Sequence, residues 1–98
     1  MRSIPVSEEV LRSMSLATPD IIWPLVKTGK ASGVLSMYVS VDRAGQVQEA
    51  WPLNSDNADL ESPAREQVKK WRFKPAAISG VPVQVESVLT FAFSAKTK

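Results

Sequence analysis

Side chains able to do covalent or metal chemistry are few, and two kinds are missing. The 98 residues include no Cys and no His. That excludes thiol catalysis, disulfides, zinc fingers, Ser-His-Asp triads and His-ligated metals. The acids, among them Asp42, Asp56, Asp59 and Glu61, fall in expected turns and on helix surfaces. No two carboxylates share a glycosidase-like or metal-binding spacing. The four Gly stand singly, so no Gly-rich loop can cradle a phosphate. The chain is expected to be no enzyme and to carry no cofactor and no metal.

Charge offers a second kind of chemistry. Residues 34–62 hold five acidic and one basic residue, whereas residues 63–75 hold five basic and one acidic. The basic block, Arg65, Lys69, Lys70, Arg72 and Lys74, is interleaved with Trp71 and Phe73. Such a face could grip phosphates and stack bases. However, Trp71 completes an apolar stripe and Phe73 leads into Pro75, so both read as core. A net charge of +2 is also small for a binder of phosphate backbones. No nucleic-acid partner is expected.

The third kind is main-chain hydrogen bonding. Between Val83 and Phe93 the only charge is Glu86, and Pro82 guards only the start. An exposed strand edge usually carries Lys, Pro or a bulge against unwanted pairing. If this strand is an edge, it can accept an extended peptide. Otherwise the N-terminal arm or a dimer mate must cover it.

Elements must position that strand. Ninety-eight residues suit one domain with one thin core. We divide them into an arm or short helix over 1–19, a domain over 20–94 and a fraying tail over 95–98. No run approaches the ~20 apolar residues of a membrane helix. Met1 to Val10 lacks the apolar centre of a signal peptide. The chain is therefore expected to be soluble, with any anchor on a segment it lacks.

In the arm, Ser7 can cap a short helix whose first turn holds Glu8 and Glu9. Pro24 fits the first position of another helix, closed by Gly29 or Gly33. Val34 to Asp42 alternates cleanly, with Leu35, Met37, Val39 and Val41 on the dry face. Asp42-Arg-Ala-Gly45 is a turn. Gln46 to Leu53 returns as the second strand. Strict alternation sets Glu49 beside Trp51, while a bulge near Gln48–Glu49 turns Ala50 inward instead. Pro52 marks this strand as an edge. A helix follows from about Leu60 or Ser62 to Arg72, with Ser62 before Pro63 reading as its cap and Leu60, Ala64, Val68 and Trp71 as its stripe. Glu66 and Lys70 have the spacing of an i,i+4 pair. Val81 to Ser94 is the longest strand signal, with Val83, Val85, Leu89, Phe91 and Phe93 inward and Ser87 in register. The expected fold is α+β. Three antiparallel strands stand in the order second, first, last, with two helices on one face.

Four blocks then stand in order. They are Trp23-Pro24; Gly33-Val-Leu with Asp42 and Gly45-Gln-Val47; Leu60, Ala64 and Val68 leading into Trp71-Arg-Phe-Lys-Pro-Ala76; and Gly80-Val-Pro-Val83 running into Thr90-Phe-Ala-Phe93. This resembles the C-terminal domain of TonB-type energy transducers over about residues 20–94. It departs at Trp23, where the family usually has Tyr, and at Ala50 and Pro52 of the second strand.

The resemblance implies a periplasmic domain of an inner-membrane-anchored protein. Such a domain couples an inner-membrane motor complex, through an N-terminal anchor missing here, to an outer-membrane transporter. It grips the transporter's extended Ton box by strand addition at the last strand. The residues expected to meet the partner are Ile22, Trp23, Val83, Gln84, Val85, Glu86, Ser87, Val88 and Leu89. A homodimer through the last strand is the related possibility. A docking module without energy coupling is the rival function class. Proline at Val85 or Ser87 is the sequence-based choice for testing the edge, on the expectation that one of them turns its N–H outward.

Overall fold

The computed structural model describes residues 3–96. Its elements, in chain order, are β1 (Ile4–Pro5), α1 (Glu8–Ser13), β2 (Ser15–Ala17), β3 (Ser32–Val41), β4 (Val47–Ser55), α2 (Glu61–Val68), β5 (Arg72–Phe73), β6 (Ala76–Ile78), β7 (Val81–Val83) and β8 (Val85–Ser94). The fold is α+β. The main sheet has four strands, not the expected three, in the order β1-β8-β3-β4. The addition is β1, which pairs parallel with β8, Ile4 opposite Val85 and Pro5 opposite Glu86. The sequence pattern missed it because two residues with a Pro carry no alternation to read.

Alternation governs the core. Leu35, Met37, Val39 and Val41 of β3 face the same side as Val85, Leu89, Phe91 and Phe93 of β8, and all are buried. Leu11 of α1 and Ala64 and Val68 of α2 close over that face in one cluster. Each fully buried Leu, Val or Phe contributes roughly 1.5–3 kcal/mol from apolar burial. On β4 the ladder shifts register between Ser40 and Val41, which places a bulge at Gln48. Ala50 is consequently buried and Trp51 is about half exposed. Of the two phases open in the sequence, the bulged one is realised.

The helix expected after Pro24 does not form, and Pro19 to Leu25 has no regular structure. Ile22 and Leu25 stay exposed and only Val26 is buried, so a helix there would have too narrow an apolar face to stabilise it. Other partners hold the segment instead. Asn57 Nδ2 donates to the carbonyls of Thr28 and Lys30, each at 2.9 Å. Val26 N–H donates to the Lys96 carbonyl at 2.8 Å. That bond, with Ala95 N–H on the Ala31 carbonyl, ties down part of the expected tail. Thr97 and Lys98 lie outside the described residues.

The first helix is the one in the arm. Ser7 Oγ accepts from Val10 N–H at 3.1 Å, and Leu11 is fully buried, so the arm belongs to the core. The cap of the second helical region is Asn57 rather than Ser62. Its side chain accepts from Asp59 N–H at the start of a 3-10 turn, Ala58–Leu60, which runs into α2. Trp71 lies just past the end of α2 but is buried as the stripe requires. Glu66 meets Lys69 at 4.0 Å rather than Lys70.

The segment after α2 ties three regions together. Phe73 N–H donates to the Gly45 carbonyl at 2.8 Å and Lys74 N–H to the Met14 carbonyl at 2.7 Å. The long strand expected from Val81 is broken at Gln84. Val81–Val83 turns back on Ala76–Ile78 instead. Ser79 and Gly80 both have positive φ, as a two-residue type I′ hairpin turn requires.

Candidate functional site

In an antiparallel ladder, successive residues turn their N–H and C=O to opposite edges. On β8 the even residues face away from β3. Ile4 N–H donates to the Gln84 carbonyl at 2.8 Å and Val6 N–H to the Glu86 carbonyl at 2.9 Å. Further along, Thr90 N–H donates to Glu8 Oε2 at 3.0 Å, and Arg12 Nη2 donates to the Thr90 carbonyl at 3.1 Å. Glu8 and Arg12 are themselves paired at 2.8 Å. One backbone strand and two side chains thus serve the edge. Among the described residues the arm leaves Val88, between them, without such a bond. This corrects the sequence-based choice of proline sites. Val85 and Ser87 turn their N–H toward β3, so proline there would break the central ladder.

The expected site residues divide accordingly. Val85, Ser87 and Leu89 point into the core and are buried. Gln84 and Glu86 present main-chain carbonyls to the arm, and Gln84 Nε2 also donates to Ser3 Oγ. Val88 is exposed on the open face of the sheet. Val83 belongs to the β6–β7 hairpin and lines an apolar groove of about 420 Å³ with Ile4, Val6, Val10 and Ile78.

Ile22 and Trp23 lie at the other end of the edge. Gln67 holds Ile22 by both main-chain groups, accepting from its N–H at 2.7 Å and donating to its carbonyl at 2.8 Å. The Trp23 ring packs 5.5 Å from Phe93. Trp23, Ile21, Asp20 and Arg12 surround a pocket of about 230 Å³ against Thr90–Ala92. The two groups of expected contacts therefore flank β8 at its two ends, with the Glu8–Arg12 pair between them. That pair was not identified as functional from sequence, although its i,i+4 spacing was visible.

The opposite edge is differently managed. Arg65 Nε donates to the Ala50 carbonyl at 2.6 Å, and its guanidinium sits 4.5 Å from the centre of the Trp51 ring. Together with the bulge and Pro52, this blocks β4 to further pairing. It also removes Arg65 from the basic face imagined in the sequence. Trp71 and Phe73 are buried and so offer no rings for base stacking.

The open face carries the chain's single tyrosine. Tyr38 stands opposite Trp51 on β4 and Val88 on β8. Burial raises its pKa, and the nearby carboxylates of Glu86 and Glu49 raise it further. A raised folded-state pKa favours the protonated phenol, so this contribution holds below the ordinary value near 10 and is lost as pH rises through the folded value. Phenolate absorbance should show a midpoint above that of the unfolded chain, and Glu86→Gln should move it partway down. An unshifted midpoint would place Tyr38 in open water.

With this geometry in view, comparison with known families is decisive. A model of the Gram-negative bacterial TonB protein C-terminal region matches residues 25–95. The chain belongs to the TonB C-terminal family. No curated protein and no solved structure matches it significantly. TonB C-terminal domains are periplasmic modules of energy transduction and binding rather than enzymes. In this TonB C-terminal domain the matched span holds β3 to β8 and α2, while β1, α1 and β2 precede it. Among the described residues no helix is long and apolar enough to cross a membrane.

Proposed function

We propose that this TonB C-terminal domain works in the periplasm as the docking end of an energy transducer. It takes the extended Ton box of an outer-membrane transporter onto the outer edge of β8 as an added strand. The observation that carries this reading is the parallel β1–β8 pair, because it marks the outer edge of β8 as able to accept an extended segment. Main-chain bonds at Gln84, Glu86 and Val88 supply the grip. Ile22 and Trp23 supply side-chain contacts at the far end. A pull along the strand loads several bonds together, though each is worth only about 0.5–1.5 kcal/mol net. The inner-membrane motor is reached through an N-terminal anchor. A second copy of the chain would use the same edge, so homodimer and transporter complex exclude one another.

Val88→Pro removes one outward N–H without touching the β3 ladder. It should weaken capture of synthetic Ton-box peptides about tenfold, since each backbone bond contributes about 1 kcal/mol and proline adds a steric block. Its far-UV spectrum should match wild type. Undiminished capture by folded Val88→Pro protein would rule out strand addition at this edge.

A further inference from the structure

We infer that residues 3–13 form a latch on the docking edge, anchored by α1, whose first part, residues 3–7, is displaced when a partner strand replaces it. The inference rests on the docking reading above and adds its regulation. The arm uses the same main-chain groups that an incoming strand needs. The Gln84 and Glu86 carbonyls are taken by Ile4 and Val6, and Thr90 by Glu8 and Arg12. One edge cannot serve two strands at once.

The latch has a firm half and a loose half. Leu11 is fully buried and anchors α1. By contrast, β1 is two residues long, and Ile4, Val6 and Val10 border the apolar groove instead of a filled core. The Glu8–Arg12 clamp is solvent-exposed, with side chains 34% and 45% accessible, so salt and water weaken it. Pro5 lies between the two residues that donate to β8, at the position whose N–H would point outward, and proline has none. The arm therefore closes the sheet without offering a new edge. Residues 3–7 can peel away while α1 stays seated. Apparent partner affinity is then the intrinsic affinity scaled by the fraction of molecules with the arm open.

The chain's lack of Cys makes a clean test possible. Pro5 and Glu86 are register partners on neighbouring strands, within reach of a disulfide once both are Cys. Binding of a panel of labelled synthetic Ton-box heptapeptides is measured on the Pro5→Cys/Glu86→Cys protein, oxidised and then reduced. A second variant, Glu8→Ala/Arg12→Ala, releases the clamp while leaving Leu11 in place. The oxidised form should bind at least about tenfold more weakly than the same protein reduced, and the clamp-free variant about threefold more tightly than wild type. Equal binding by the oxidised and reduced forms, with amide shifts confined to Val88–Ala92, overturns the latch but leaves strand addition standing. No binding by wild type, reduced or clamp-free protein overturns the docking reading and the latch together.

Discussion

Trp71→Ala should lower the unfolding free energy by about 3–5 kcal/mol in a denaturant melt followed by far-UV circular dichroism. Domains of this size are held by about 5–15 kcal/mol in total, so the variant should be near the limit of folding. The ring is 4% exposed and meets Phe91 edge-on at 5.7 Å and Phe73 at 6.3 Å. Alanine would leave a cavity between α2, β5 and β8 that the sheet cannot close. Trp71→Phe should cost far less, about 1 kcal/mol. Among the described residues the buried indole Nε1 has no hydrogen-bond partner, so losing it removes an unsatisfied donor and offsets part of the lost contact. If the alanine variant lost under about 1 kcal/mol, Trp71 would not be a core residue.

Gly45→Ala should cost about 2–4 kcal/mol, the second largest effect of a single substitution expected here. Gly45 has φ +87°, and a Cβ there would stand 2.0 Å from the Phe73 carbonyl oxygen. Because that atom is backbone, relief requires moving β5, which also strains the Phe73 N–H bond to the Gly45 carbonyl. Gly80 is the control. It has a similar φ of +81°, but no atom lies within 4 Å of its would-be Cβ. Gly80→Ala should therefore cost only the conformational strain, about 1 kcal/mol. Equal losses at the two glycines would show that the contact with Phe73 does not matter and that strain alone sets the cost.

The contrast between those glycines also marks what a sequence can express. Gly45 was legible as the last residue of a turn after Asp42, and Asp42 Oδ1 does accept from Ala44 and Gln46 N–H, each at 2.9 Å. Its role against Phe73 was not legible, because residues so far apart in the chain leave no local pattern for a backbone approach. The dry face of β3 was readable because one buried sheet face imposes a period of two. The break at Gln84 was not, since Val83 and Val85 keep the same alternation on both sides of it. The helix expected after Pro24 failed because start and stop signals were present without enough apolar surface to hold a helix down.

The side chains of β8 itself give its outer edge little protection, and that much the composition of the strand expresses. The arm stood among the alternatives for covering that edge; what was not legible is that Ile4–Pro5 and the Glu8–Arg12 pair are the parts of it that do so. A two-residue parallel strand leaves no periodic trace. The i,i+4 spacing of Glu8 and Arg12 looks the same whether the pair merely braces its helix or also reaches across to Thr90. Arg65 on the β4 edge was likewise hidden within a block of basic residues that looked like a solvated flank.

The central claim is that an extended partner adds to the outer edge of β8. Amide hydrogen exchange, resolved by residue with and without saturating Ton-box peptide, tests it most directly. The added strand should slow exchange at the outward amide of Val88, which the arm leaves unbonded. The inward amides of Ser87 and Leu89, already held by β3, should change little. Protection that leaves Val88 untouched, or that appears along β4 instead, would contradict the account.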